Sequence, residues 1–127
     1  MDALQAQDRQ ALLEALAGRL HTPQRAARTG PRGVSGVLVP FRWRDDHAEL
    51  IFTRRSAELS SHPGQISFPG GRVDPGDAHP LAAALRETEE EVGIPADAIR
   101  VAGHLTDYQP YHGPLICTYV GVLEPDA

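Results

Sequence analysis

Apolar residues recur along this chain with two different periods, and the change from one to the other marks out its elements. In residues 2–20, Leu12, Leu13, Leu16 and Leu20 return at helical spacing among polar neighbours, which predicts an amphipathic helix. Residues 21–32, HTPQRAARTGPR, hold breakers at Pro23, Gly30 and Pro31 and read as a linker. The chain is therefore expected to divide into an N-terminal helix (1–20), a linker (21–32) and one domain (33–127). Period two then takes over. GVSGVLVPF (33–41) and AELIFTRR (48–55) are predicted strands, the second with Leu50 and Phe52 opposite Ile51 and Thr53. Asp45-Asp46 between them marks a hairpin-like turn. Residues 56–77 are rich in Gly, Pro and Ser, too irregular for one element, with a short strand expected at Gln65–Phe68. Long ordered loops of this kind often carry function.

Leu81, Ala84, Leu85, Thr88 and Val92 recur at spacings of three and four and predict a helix from about Ala78 to Val92 with these residues as its buried stripe. Asp77 or His79 can cap its start, and Pro80 is tolerated in a first turn. Gly93 stands where a left-handed cap is wanted, and Pro95 prevents an immediate restart. Two more strands follow, IRVAGHLTD (99–107) and PLICTYVGVL (114–123), joined by the loop YQPYHG (108–113).

Composition narrows the chemistry. With 127 residues, 41% of them hydrophobic and 23% charged, the chain has the size and balance of one globular domain. No run approaches the ~18 apolar residues of a membrane span, and the charged N-terminal helix makes a poor signal peptide. A cytoplasmic location without membrane attachment is the expectation. The net charge of −5 argues against broad nucleic-acid binding. All 12 cationic residues are arginine, which excludes a lysine nucleophile and suits phosphate or carboxylate recognition. Arg25, Arg28 and Arg32 in the linker are read as solvated, with a phosphate-contacting arm as the alternative. The single cysteine, Cys117, lies in a strand-like apolar run and reads as a buried structural thiol.

The stretch RETEEEVGI (86–94) changes the picture. Glu87, Glu90 and Glu91 stand at i, i+3 and i+4, on one helical face roughly opposite Leu81, Leu85 and Val92, whereas Glu89 points elsewhere. Three like charges on one face repel unless something neutralises them. They are either a solvated surface or hard oxygen ligands of the kind Mg²⁺ or Mn²⁺ prefers. Arg86 can bridge to Glu90. Gly70-Gly71, read as a tight turn just before the helix, would let backbone approach a ligand and could add a carbonyl ligand.

The segment GGRVDPGDAHPLAAALRETEEEVGI resembles the Nudix box. Gly71, Arg86, Glu87, Glu90, Glu91, Gly93 and Ile94 fill their places in that pattern. Three positions depart from it. Asp77 stands where the first Glu is usual, eight residues rather than seven separate it from Arg86, and Thr88 occupies an aliphatic slot. Upstream, IFTRRSAELSSHPGQISFPGG is similar to the extra signature of the coenzyme A pyrophosphatase branch, through Leu59, His62, Gly64, Gln65, Phe68, Pro69 and the glycine pair.

The resemblance implies a Nudix-type α/β/α sandwich with a mixed β-sheet. It also implies a further strand and helix after 120–123, where only EPDA follows here, so that the chain is a fragment, a partner supplies that layer, or the fold is trimmed. The implied reaction is hydrolysis of the diphosphate of coenzyme A or a derivative to 3′,5′-ADP and 4′-phosphopantetheine. ADP-ribose, a nucleoside triphosphate, or binding without turnover are the alternatives. Glu87, Glu90 and Glu91 would hold the metal, Mg²⁺ or Mn²⁺, with the Gly70 carbonyl as an extra ligand. Glu87 would act as base, and Arg86 would orient a glutamate. Leu59, His62, Gly64, Gln65 and Phe68 would shape the substrate site. Arg54 and Arg55 are either phosphate contacts or charged strand ends, and Tyr108 and Tyr111 either stack on adenine or form an ordinary loop. His104 and His112 are read as structural. An open sheet edge would favour a homodimer.

Overall fold

The longest strand, β1 (Val34–Arg44), organises the molecule. The structure, a computed structural model, describes residues 3–21, 29–54 and 64–125. Its elements are α1 (Ala3–Ala17), β1, β2 (His47–Leu50), β3 (Thr53–Arg54), β4 (Ile66–Ser67), β5 (Gly70–Arg72), α2 (Pro80–Val92), a 3-10 turn (Ala96–Ala98), β6 (Ile99–His104) and β7 (Leu115–Leu123). The sheet runs β2-β1-β7-β6, with β5 also on β1, and β3 and β4 form a separate two-stranded ribbon. β1 and β7 are parallel, while the pairs β1–β2, β1–β5 and β6–β7 are antiparallel. The α/β architecture with a mixed sheet is as the sequence implied.

Pro40 explains how β1 is used. It has no N–H, so it interrupts a ladder unless it lies at a gap. β5 covers Ser35–Val37 and β2 covers Phe41–Arg44, and Pro40 falls between. Its carbonyl accepts from Ile51 at 3.1 Å, while Leu38 donates to the Pro69 carbonyl at 2.9 Å. The predicted strand 48–55 is therefore not continuous. Its first half follows β1, and its second half leaves as β3 to pair with β4, Thr53 opposite Ser67. The turn at Asp45 is as expected, with φ 56° in the left-handed region.

The core lies between β1, β7, β6 and α2, built from Leu38, Ala84, Ile99, Cys117, Tyr119 and Leu123. Cys117 is buried, as its apolar run suggested. The parallel register sets Gly36 beside Cys117 and Leu38 beside Tyr119, so these four share a face. α2 lies on that face, since a Cβ at Gly36 would meet the backbone of Pro80 and Ala84. Ala83, Ala84 and Thr88 are its most buried residues after Pro80, with Leu81, Leu85 and Val92 half-buried. The buried stripe thus includes Ala83 and leans on small residues, because the helix sits close to the strand. α1 contacts β6, and Arg9 of α1 donates to the Leu123 carbonyl at 3.2 Å. His21 pairs with His104 across backbone hydrogen bonds, and their rings stack at 4.9 Å. Among the described residues no helix is long and apolar enough to cross a membrane.

Candidate active site

α2 begins at Pro80 rather than Ala78, because His79 takes the cap: its Nδ1 accepts the Ala82 N–H at 3.1 Å. The helix ends at Gly93, whose φ of 76° and N–H to the Glu89 carbonyl close it as expected. Asp77, the other cap candidate, has a different task. It holds Arg86 through two hydrogen bonds, Nε to Oδ1 at 3.1 Å and Nη2 to Oδ2 at 3.0 Å. The DPGD turn supports this, closed by Asp77 N–H to the Asp74 carbonyl at 2.9 Å. Asp77 Oδ2 also accepts the Asp74 N–H at 2.8 Å. The Arg86 guanidinium, and next the Asp74 amide, hold the Asp77 carboxyl below its ordinary range. Arg86 is correspondingly pushed further up, by Asp77 first. A short Asp with one extra spacer residue thus still reaches the arginine, since the added residue lies before the turns that carry Arg86.

Arg86 then reaches the glutamates. Its Nη1 donates to Glu87 Oε1 at 3.0 Å and to Glu90 Oε1 at 3.4 Å. Its Nη2 donates to the Arg72 carbonyl at 3.2 Å, tying α2 to β5. One guanidinium therefore fixes the first glutamate of the run against the strand beside it. Thr88, in the aliphatic slot, is fully buried with its Oγ1 donating to the Ala84 carbonyl at 2.7 Å. With the hydroxyl satisfied within the helix, its methyl can pack as an aliphatic side chain would.

The glycine pair is a strand and not a turn. Gly70 and Gly71 pair with Val37 and Gly36, and neither has a left-handed φ. They are required by close approach instead. A Cβ at Gly71 would lie 2.6 Å from the Glu87 carboxyl carbon, and one at Gly70 would lie 2.8 Å from the Val37 Cα. Gly70 meets the acidic face through its N–H, which donates to the Glu91 carboxylate.

Glu91 is the unusual residue. Its carboxyl is pushed up to about 7, first by desolvation, then by a hydrogen bond with Glu87 and the charges of Glu87 and Glu90, with the Gly70 amide opposing. Glu91 as a residue presents surface, yet its carboxyl end is partly screened from water beside its neighbours. Glu90 is the more open of the two that Arg86 contacts, its side chain 58% exposed against 21% for Glu87. Glu89 is exposed and takes no part. Among the described residues no three carboxylate, histidine or cysteine groups converge into a ready-made metal cage. The donor chemistry still fits a hard divalent cation. Three carboxyls lie on one helical face, and the crowding and desolvation that push the Glu91 carboxyl up are what a cation bound there would relieve.

An open cleft of about 450 Å³ adjoins this face, lined by Phe52, Thr53, Arg54, Ser67, Gly70, Glu91 and Val92. Arg54, a predicted phosphate contact, is thus brought to the same cleft as Glu91. Phe68 is half-buried and stacks on Phe52 with centroids 4.5 Å apart. Gly64 has φ 70°, the conformation of a turn leading into β4, and Gln65 is exposed. Arg55, Leu59 and His62, and Arg25 and Arg28 of the linker, lie outside the described residues. Tyr108 and Tyr111 are exposed, on a loop that Tyr108 ties to Ile116, and neither lines the cleft. Arg32, described at the linker's end, donates to the Tyr111 carbonyl at 3.2 Å. Phe52 and Ser67 were not anticipated. The apolar alternation assigned Phe52 to a strand face, and only its 49% exposure beside a charged cleft distinguishes it.

The Asp77–Arg86 pair makes a checkable contribution. The folded Asp77 carboxyl titrates below its unfolded value, so its stabilisation is present above about pH 4 and is lost as pH falls through the folded value. Asp77→Asn should flatten the acid limb of a pH–melting curve.

Comparison with known proteins gives a consistent picture. The NUDIX domain family matches residues 33–123. The chain is 45% identical over 92 residues to the uncharacterized Nudix hydrolase NudL of Escherichia coli K12, covering 72% of this chain and 47% of that protein. To NudL of Cronobacter sakazakii it is 41% identical over 108 residues, 85% of this chain and 56% of that one. It thus spans about half the length of these relatives. Among solved structures, the Ap4A hydrolase of C. elegans superposes with a TM-score of 0.60 at 24% identity, over 76% of this chain and 72% of that one. The NUDIX domain of Shewanella oneidensis NrtR, complexed with ADP ribose, gives 0.58 at 17% identity, over 75% and 62%. At these identities the likeness is one of fold.

Proposed function

This chain belongs to the NUDIX domain family, and on that premise we propose that it is a divalent-cation-dependent hydrolase of the diphosphate bridge in coenzyme A or its derivatives. The products are 3′,5′-ADP and 4′-phosphopantetheine. The observation that carries the reading is the Glu87, Glu90 and Glu91 face of α2, whose last member lines a cleft together with Arg54. Such crowding stores repulsion that only a cation or a proton relieves, and a substrate diphosphate needs the same cation.

Glu87, Glu90 and Glu91 are the residues that would hold Mg²⁺ or Mn²⁺. A cation held there would supply charge neutralisation for the diphosphate and acidification of the attacking water. The chain's own groups do the rest. Arg86 fixes the Glu87 carboxylate from one side and Gly71 lets it lie against β5 on the other. That held position is what a base requires, and we assign Glu87 the role of accepting the proton from the attacking water. Arg54 meets a phosphate oxygen from the opposite part of the cleft. No covalent nucleophile is used.

Coenzyme A as substrate is supported by the upstream signature, of which Gly64, Gln65, Phe68 and Pro69 lie in the described residues and Phe68 stacks on Phe52 of the cleft. ADP-ribose stands second, because a NUDIX domain of similar fold is complexed with it. Side-by-side turnover of coenzyme A, ADP-ribose and dGTP, each with Mg²⁺ and with Mn²⁺, tests the proposal. Coenzyme A should lead clearly, and equal slow rates on all three would remove the substrate assignment. Glu90→Gln should lower turnover at least about tenfold without loss of melting temperature, since the lost carboxylate is well exposed and belongs to a run of like charges.

A further inference from the structure

Phe52 and Arg54 flank Thr53 in extended chain, two residues apart, and both line the cleft that ends at Glu91. Two residues of extended chain span about 7 Å. Phe52 stacks on Phe68 at an interplanar angle of 24°, which covers one face of its ring. It remains 49% exposed all the same. A ring buried on one side and open on the other, at the wall of a polar cleft, is a surface for a second flat ring. Among the described residues no acid pairs with Arg54, so its guanidinium is available to an anion one nucleotide's length from that ring.

We propose that Phe52 is the stacking platform for the nucleobase of the substrate, with Phe68 as the positioning residue behind it and Arg54 as the phosphate contact beside it. The inference rests on the nucleotide-diphosphate reading for the identity of the flat ring. It adds the residue that selects nucleotides over other diphosphates. It also gives the upstream signature a physical role: Phe68 acts through Phe52 and does not touch the base itself.

Binding of ADP and of inorganic pyrophosphate, measured by titration calorimetry with Mg²⁺ present, separates base from phosphate. The native protein should prefer ADP by about tenfold or more, the scale of one base–aromatic stack. Phe52→Ala should erase that preference while leaving pyrophosphate affinity unchanged, and Phe52→Tyr should restore it. An ADP preference that survives Phe52→Ala, its absence from the native protein, or equal loss of both ligands in the alanine variant would overturn the proposal. Hydrolysis is scored separately. A protein that prefers ADP through Phe52 but cleaves no diphosphate keeps the platform and loses the enzymatic reading, whereas cleavage without base preference does the reverse.

Discussion

Glu91→Gln should make the cation-free protein more stable and the proposed hydrolysis at least about a hundredfold slower. Both effects come from the same carboxyl. The folded Glu91 carboxyl is pushed up to about 7, above its value in the unfolded chain, so the unfolded state gives up this proton first as pH rises. The contribution of the protonated form is therefore complete below about pH 4.5 and is lost as pH climbs through 7. At pH 8 in EDTA the native protein carries the repulsion in full and the glutamine variant does not. The gain is on the order of 1 kcal/mol once the solvent around this exposed residue is allowed for. Melting curves at pH 5 and pH 8 check it. The variant should exceed the native protein at pH 8 and match it at pH 5, and Mg²⁺ or Mn²⁺ should raise the melting point of the native protein more than that of the variant. A glutamine variant that is less stable at pH 8 would show that the acidic face is not frustrated. Full activity in that variant would remove the site.

Gly36→Val should cost about 3 kcal/mol or more and lower the melting temperature by roughly 10 °C or more. A Cβ there would overlap the Pro80 carbonyl oxygen and come within 3.0 Å of the Ala84 nitrogen. Those atoms are helix backbone and cannot rotate away. α2 would have to lift off β1, opening the core around Leu38, Ala84 and Cys117 and moving Glu87 away from Gly71. Gly76→Ala is the control, because nothing lies within 4 Å of a Cβ at that position. If valine at position 36 melts like the native protein, the helix is not seated on the strand in the way described.

What a single sequence could determine here is what depends on local spacing. The turn at Asp45, the end of α2 at Gly93, the apolar strand run at 114–123 and the common face of Glu87, Glu90 and Glu91 are all short-range properties of the chain. Periodicity and φ preferences act within a few residues, so they are legible without a fold. The glycine pair was misread as a turn for the complementary reason. Gly70 and Gly71 are needed because Val37 and Glu87, far away in sequence, press against them, and no local rule contains that contact. The division of 48–55 into two strands likewise depends on where Pro40 meets its neighbours across the sheet. The grip of Asp77 on Arg86 requires the path of the intervening turn and helix. Phe52 looked like one more apolar strand residue until Phe68 covered one side of it and the cleft left the other open. The chain by itself thus determined which acidic residues share a helical face. Only the tertiary structure decided which of them is desolvated, which is held by arginine, and which surface lies opposite, because desolvation and close packing are set by distant segments brought together.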